Sequence, residues 1–166
     1  MTPLFTVHPS PIGDVLIVTR GASVVTLRPF DAPLETEIEA VSLRLQEIVE
    51  PGESDAAAAA SAQLDEYFDG ERTAFDLPLE WAPVQGFTRR ALEAVCEIPY
   101  GETASYGEVA ILAGAPGAAR AVGTACRLTP FSIVVPVHRV IRADGSIGEY
   151  GGRPEMKRFL LDLESP

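Results

Sequence analysis

The stretch Ser105-Tyr106-Gly107-Glu108-Val109-Ala110-Ile111-Leu112, followed by Gly114-Ala115-Pro116-Gly117 and then by Ala118 to Leu128, reads as two short helices joined by a tight turn. Thr103 or Ser105 offers a side-chain oxygen to cap the first helix, from Tyr106 to Leu112. The Gly-Ala-Pro-Gly run breaks it, because proline lacks the amide hydrogen and glycine readily takes positive φ. A second helix then runs from Ala118 to Leu128, and the pair has the spacing of a helix-turn-helix. Its second helix is rich in alanine and glycine, so its backbone can come close to a groove. It also offers few groups that read base edges, which weakens a transcriptional-regulator reading.

Upstream, Gln85 to Ile98 places Phe87, Ala91, Leu92, Val95 and Cys96 on one helical face, so Cys96 is expected in the core. Ala82-Pro83 is a plausible linker. Before it, Leu4 to His8, Val15 to Thr19 and Ser23 to Leu27 are short apolar-rich runs separated by turn signals, the pattern of a three-stranded antiparallel meander. Glu35 to Glu50 is roughly helical and is expected to stop at Pro51-Gly52; Ser54 or Asp55 then caps a helix from Ala56 to Phe68. Ala74 to Trp81 alternates and is expected to add an edge strand. The expected fold class is α+β in two domains, a small antiparallel sheet with helices over 1–83 and a helical domain over 84–166.

At 166 residues with 46% apolar content, the chain can supply packed cores for such domains. The net charge of -11 is unevenly placed. Residues 1–83 hold 4 Arg and no Lys against 15 acidic residues, whereas residues 84–166 hold 9 basic and 9 acidic. A neutral half carrying Arg89, Arg90, Arg120, Arg127, Arg139 and Arg142 can meet phosphates while the acidic half solubilises. No apolar stretch reaches the roughly 18 residues of a membrane span, and the N-terminus lacks a signal-peptide pattern, so a cytoplasmic monomer away from membranes is expected. Cys96 and Cys126 have no metal-ligand spacing, and residues 1–83 hold no Cys and only His8, so neither metal nor cofactor is expected.

Pro136-Val137-His138-Arg139-Val140-Ile141 closes the apolar run that begins at Ile133. Taken alone, that run reads as a buried strand with a hydrogen-bonded core histidine. In context, the hexapeptide resembles the active-site signature of the O6-alkylguanine-DNA alkyltransferases with Val137 where that family has its acceptor cysteine. Gly86-Phe87-Thr88-Arg89-Arg90-Ala91-Leu92, Ile98-Pro99-Tyr100-Gly101-Glu102-Thr103, Ser105 to Ala110, Ala119-Arg120-Ala121-Val122-Gly123 and Tyr150-Gly151-Gly152 follow the family's order and spacing. Ser10-Pro11-Ile12-Gly13-Asp14-Val15-Leu16 is similar to its first hairpin. The resemblance implies a ribonuclease H-like N-terminal domain and a winged-helix-like C-terminal one.

It also implies roles, residue by residue. Arg120 matches the finger that enters the duplex in place of the flipped nucleotide, and Tyr106 the tyrosine that helps rotate it out. Val137, Tyr150, Gly151 and the Ser146 to Gly152 loop would line the lesion pocket, with Tyr106 beside them. His138 and Glu164 match the base and its orienting carboxylate, vestigial here for want of a thiol, and Arg139 matches an arginine that ties the segment down. Thr129 stands where the family has an asparagine that links the recognition helix to the active-site loop on DNA. A thiolate is a nucleophile and an isopropyl group is not. The expected function is therefore a protein that binds and flips O6-alkylguanine in duplex DNA without alkyl transfer and flags it for a pathway such as nucleotide excision repair. The alternatives are a methylated-DNA–protein-cysteine methyltransferase, with another cysteine in use or the acceptor artificially exchanged, and a helix-turn-helix regulator.

Overall fold

In the computed structural model, residues 1–150 and 153–166 are described. They form a mixed α+β protein in two compact units, Met1–Glu80 and Trp81–Pro166. In the first, β1 (Leu4–His8), β2 (Val15–Arg20) and β3 (Ser23–Pro29) form the antiparallel meander the alternation predicts. β2 is buried on both faces, Val15 through Val18, so it reads as a continuous apolar run. Leu16 and Val18 pack with Val25, Val41 and Val49; alternation turns Val15 and Ile17 to the opposite face.

Two expectations for this unit fail. The helix expected over 35–50 is α1 (Leu34–Leu45), ended early by Gln46 at φ 56°, whose amide bonds back to Leu43 and Ser42. The chain released there lets Glu50–Pro51 pair in parallel with β1 as a fourth strand, β4, and Pro51 is tolerated because an edge position needs no donor. The edge strand expected from Ala74 to Trp81 is a single bridge between Leu79 and Val24, since Pro78 has no amide to extend the ladder. α2 (Asp55–Phe68) packs on β1 to β3 through Ala57, Ala60, Leu64 and Tyr67, and Ser54 Oγ caps it by accepting from Ala57 N at 3.0 Å.

The second unit is built of α3 (Gly86–Cys96), α4 (Tyr106–Leu112), α5 (Ala119–Leu128) and α6 (Pro154–Glu164). α4 has the sequence-predicted bounds, secured by a reciprocal cap between Ser105 and Glu108. α3, α4 and α5 pack together over Ala91, Leu92, Val95, Val109, Val122 and Ala125. Cys96 is not in that core; it is exposed. Four residues beyond Leu92 carries it about 40° round the helix, off the buried stripe. The run from Ile133 to Ile141 is likewise no continuous strand: Val135 makes an isolated bridge to Ser132, Val137–Arg139 is a 3-10 turn, and Val140–Ile141 (β6) pairs in parallel with Ala104–Ser105 (β5). Pro136 cannot donate to a ladder and starts the turn, with Arg139 N bonding to its carbonyl at 3.0 Å.

Candidate active site

The 3-10 turn sets His138 and Arg139 side by side against the C-terminal turn of α6, where Glu164 is the last helical residue. His138 Nε2 lies 2.7 Å from Glu164 Oε2. Arg139 clamps the same carboxylate, Nε donating to Oε1 at 2.8 Å and Nη2 to Oε2 at 3.0 Å, while Nη1 donates to Ile98 O at 2.7 Å. These groups are 0%, 8% and 3% exposed for His138, Arg139 and Glu164. A buried carboxylate in a bidentate guanidinium fork stays ionised, so its partner nitrogen on His138 is the one carrying the proton. Burial lowers the His138 pKa, with Glu164 opposing, and the ring is a neutral imidazole. Its Nδ1 has no hydrogen-bond partner among the described residues. A buried neutral nitrogen lone pair next to residue 137 in the chain is a general base in waiting. Val137 itself is buried and presents only carbon.

Tyr106, the first residue of α4, is half-buried under two close backbones. A Cβ on Gly148 would sit 3.1 Å from its hydroxyl, and one on Gly123 of α5 would sit 3.8 Å from its ring. Gly148, at φ 75°, thus lets the loop after β6 cross the tyrosine. Burial raises the Tyr106 pKa, with Cys126 adding and Arg142 opposing. Lys157 of α6 lies beneath it, Nζ 3.5 Å from Tyr106 Oη and donating to Val140 O at 2.5 Å. Burial lowers this ammonium to about 8. Sequence reasoning missed Lys157. The signal was available, since Met156, Lys157 and Leu160 fall on one buried helical face behind the Pro154 start.

Arg120 stands exposed in the first turn of α5. Thr129, buried at the other end of that helix, accepts from Phe131 N at 3.1 Å through its hydroxyl. Tyr150 is half-buried at the edge of the described loop, and Gly151 lies outside the described residues. Arg89 and Arg90 are engaged inside the unit: the Arg89 guanidinium lies 4.9 Å from the Trp81 ring centroid, and Arg90 sits over Phe87 and donates to Ala113 O at 3.4 Å. Of the two thiols, Cys126 on α5 is half-buried and is pushed up to about 12 by burial, with Lys157 opposing. Cys96 is raised to about 11, first by desolvation of the sulfur and then by Glu97 and Glu93.

Residues 86–166 match the family described as 6-O-methylguanine DNA methyltransferase, DNA binding domain, and residues 4–81 match the ribonuclease-like domain of the same methyltransferase. The chain is 43% identical over 155 residues to a methylated-DNA–protein-cysteine methyltransferase of Mycobacterium bovis, covering 93% of this chain and 88% of that one. The Mycobacterium tuberculosis O6-methylguanine methyltransferase crystal structure superposes with a TM-score of 0.81 at 41% identity, over 98% of this chain and 93% of that one. The M. tuberculosis OGT structure in complex with DNA superposes at 0.79 and 39% identity, over 100% and 96%. These relatives overturn the expectation of a protein that binds the lesion without transfer and hands it on. Relatives at this identity and coverage are named as transferases.

Proposed function

The chain belongs to the 6-O-methylguanine DNA methyltransferase family, and from that premise we propose that it is a DNA-repair protein whose site performs methylated-DNA–protein-cysteine methyltransferase chemistry on O6-alkylguanine in duplex DNA. The helix-turn-helix of α4 and α5 meets the duplex. Arg120 takes the place of the flipped nucleotide, and Tyr106 helps rotate it out at a cost of a few kcal/mol, least for a damaged pair. Val137 and Tyr150 line the pocket that receives it. The observation that carries the reading is the buried His138–Glu164–Arg139 cluster with its open Nδ1 next to residue 137.

In the transfer step a cysteine thiol gives its proton to His138 Nδ1, and Glu164 stabilises the imidazolium. The thiolate then attacks the alkyl carbon, the carbon–O6 bond breaks with its electron pair going to the guanine, and the thioether remains on the protein. The matching position here is Val137, which cannot serve. The acceptor in this chain is therefore Cys126, slow because so little of a thiol near 12 is ionised at neutral pH, and Val137→Cys supplies a thiol at the family's position. Intact-mass analysis of the chain and of Val137→Cys, each incubated with a duplex carrying one O6-methylguanine, tests this. A lesion-dependent gain of one methyl group is expected, on Cys126 in the first and on residue 137 in the second. If neither protein gains a methyl group, the transferase reading is wrong.

A further inference from the structure

The segment that leads to residue 137 is strained. Ile133 has φ 73°, which β-branched side chains rarely adopt, and it sits buried at the centre of a three-residue turn in which Val134 N donates to Ser132 O at 2.8 Å. A γ-turn of this hand persists only where its surroundings over-determine it. A second such bond, Val137 N to Val135 O at 2.8 Å, follows directly. At the start of the segment, Phe131 is fully buried and meets the Trp81 ring edge-on with centroids 5.4 Å apart. Trp81 is held in turn: the Arg89 guanidinium covers its ring, and its carbonyl accepts from Val84 N at 2.8 Å and from Arg89 Nη1 at 3.3 Å.

We propose that Trp81, the only tryptophan of the chain, is a positioning residue for the pocket. Pinned by Arg89, it wedges Phe131 so that the Ile133 turn keeps its strained form and residue 137 keeps its place at the end of it. Thr129 supplies one hydrogen bond at this corner, and the aromatic contact supplies the rest. Trp81 touches no substrate. It acts through backbone that small displacements would carry out of reach, and misplacement at a reacting centre costs rate steeply.

The test compares the full chain with Trp81→Ala and Trp81→Phe, first without DNA, by amide hydrogen exchange. In Trp81→Ala, exchange at Val134, Val135 and Val137 should rise about fivefold relative to amides of α3 and α5, the worth of one aromatic pair of about 1 kcal/mol at tenfold per 1.4 kcal/mol. Trp81→Phe should restore it. Unchanged exchange at those three amides, or an equal rise throughout the helices, would overturn the proposal. Should Trp81→Ala not fold, Arg89→Met leaves the ring and removes its cover, and the same amides should loosen in the same direction. The functional arm rests on the proposed lesion reading: Trp81→Ala should lose about fivefold in preference for O6-methylguanine over guanine duplex with affinity for plain duplex kept. Equal loss on both duplexes contradicts a positioning role. A parent chain that does not distinguish the duplexes would instead sink the lesion reading, and the exchange data would still decide for or against Trp81.

Discussion

Lys157 makes a sharp test of the site's electrostatics, because it is a buried ammonium whose hydrogen-bonding neighbours among the described residues, Val140 O and Tyr106 Oη, are uncharged. Burial lowers it from 10.5 to about 8, which at about 1.4 kcal/mol per tenfold in proton affinity is a cost near neutral pH of about 3 kcal/mol. The sign follows from proton counting. Between about 8 and 10.5 the unfolded chain keeps a proton that the folded chain has released, so the unfolded state binds more protons and stability climbs with pH. Below 8 both states are protonated and the increment is absent. Cys126 works the other way: its thiol rises from 9.0 to about 12 in the folded state, so above pH 9 the folded chain holds the extra proton and stability falls. The parent profile therefore mixes these with Cys96, likewise raised from 9.0 to about 11. Urea unfolding of the parent and of Lys157→Met from pH 7 to 10.5 isolates the Lys157 contribution together with its smaller coulombic coupling to Cys126, since both thiols are common to the two proteins. The stability difference between them should shift by about 3 kcal/mol in favour of the parent across that window. A difference that stays constant with pH would refute a buried, destabilised ammonium.

Three further outcomes are expected. Arg120→Ala, at an exposed position, should leave urea stability within about 0.5 kcal/mol of the parent while lowering the preference for O6-methylguanine DNA measured by fluorescence anisotropy; an unchanged preference would remove Arg120 from the lesion role. Glu164→Gln takes the anion from between His138 and Arg139 and should cost about 3 kcal/mol in urea unfolding, against almost nothing if the cluster were solvated. Val137→Cys should transfer methyl groups incompletely, and adding Thr129→Asn should raise its single-turnover rate, because an amide can bond at more points of the corner than one hydroxyl; equal rates in the two variants would show that Thr129 does not limit the loop.

The features legible in the chain before folding are those that local chemistry controls. α4 could be bounded to the residue because its start is a serine cap and its end a glycine-proline turn, both acting within a few residues. The β1–β3 meander followed from alternation, and the motif series identified the family across both units. The early stop of α1 escaped, because nothing local marks Gln46 for the left-handed form; β4 needs the chain released there to reach β1. Cys96 went to the wrong side because a helical stripe drifts with each turn, and only the neighbours say where it ends. The pairing of His138 with Glu164 was legible through resemblance alone; the burial of Lys157 was signalled by its place on the apolar face of α6, but its position beneath Tyr106, the two-pronged clamp of Arg139 on Glu164 and the strained turn at Ile133 were not legible. Each joins residues far apart in the chain, or holds a charge or a backbone angle that is unfavourable by itself. Periodicity records which residues prefer burial. Only the packed structure decides which unfavourable group is buried, and what compensates it.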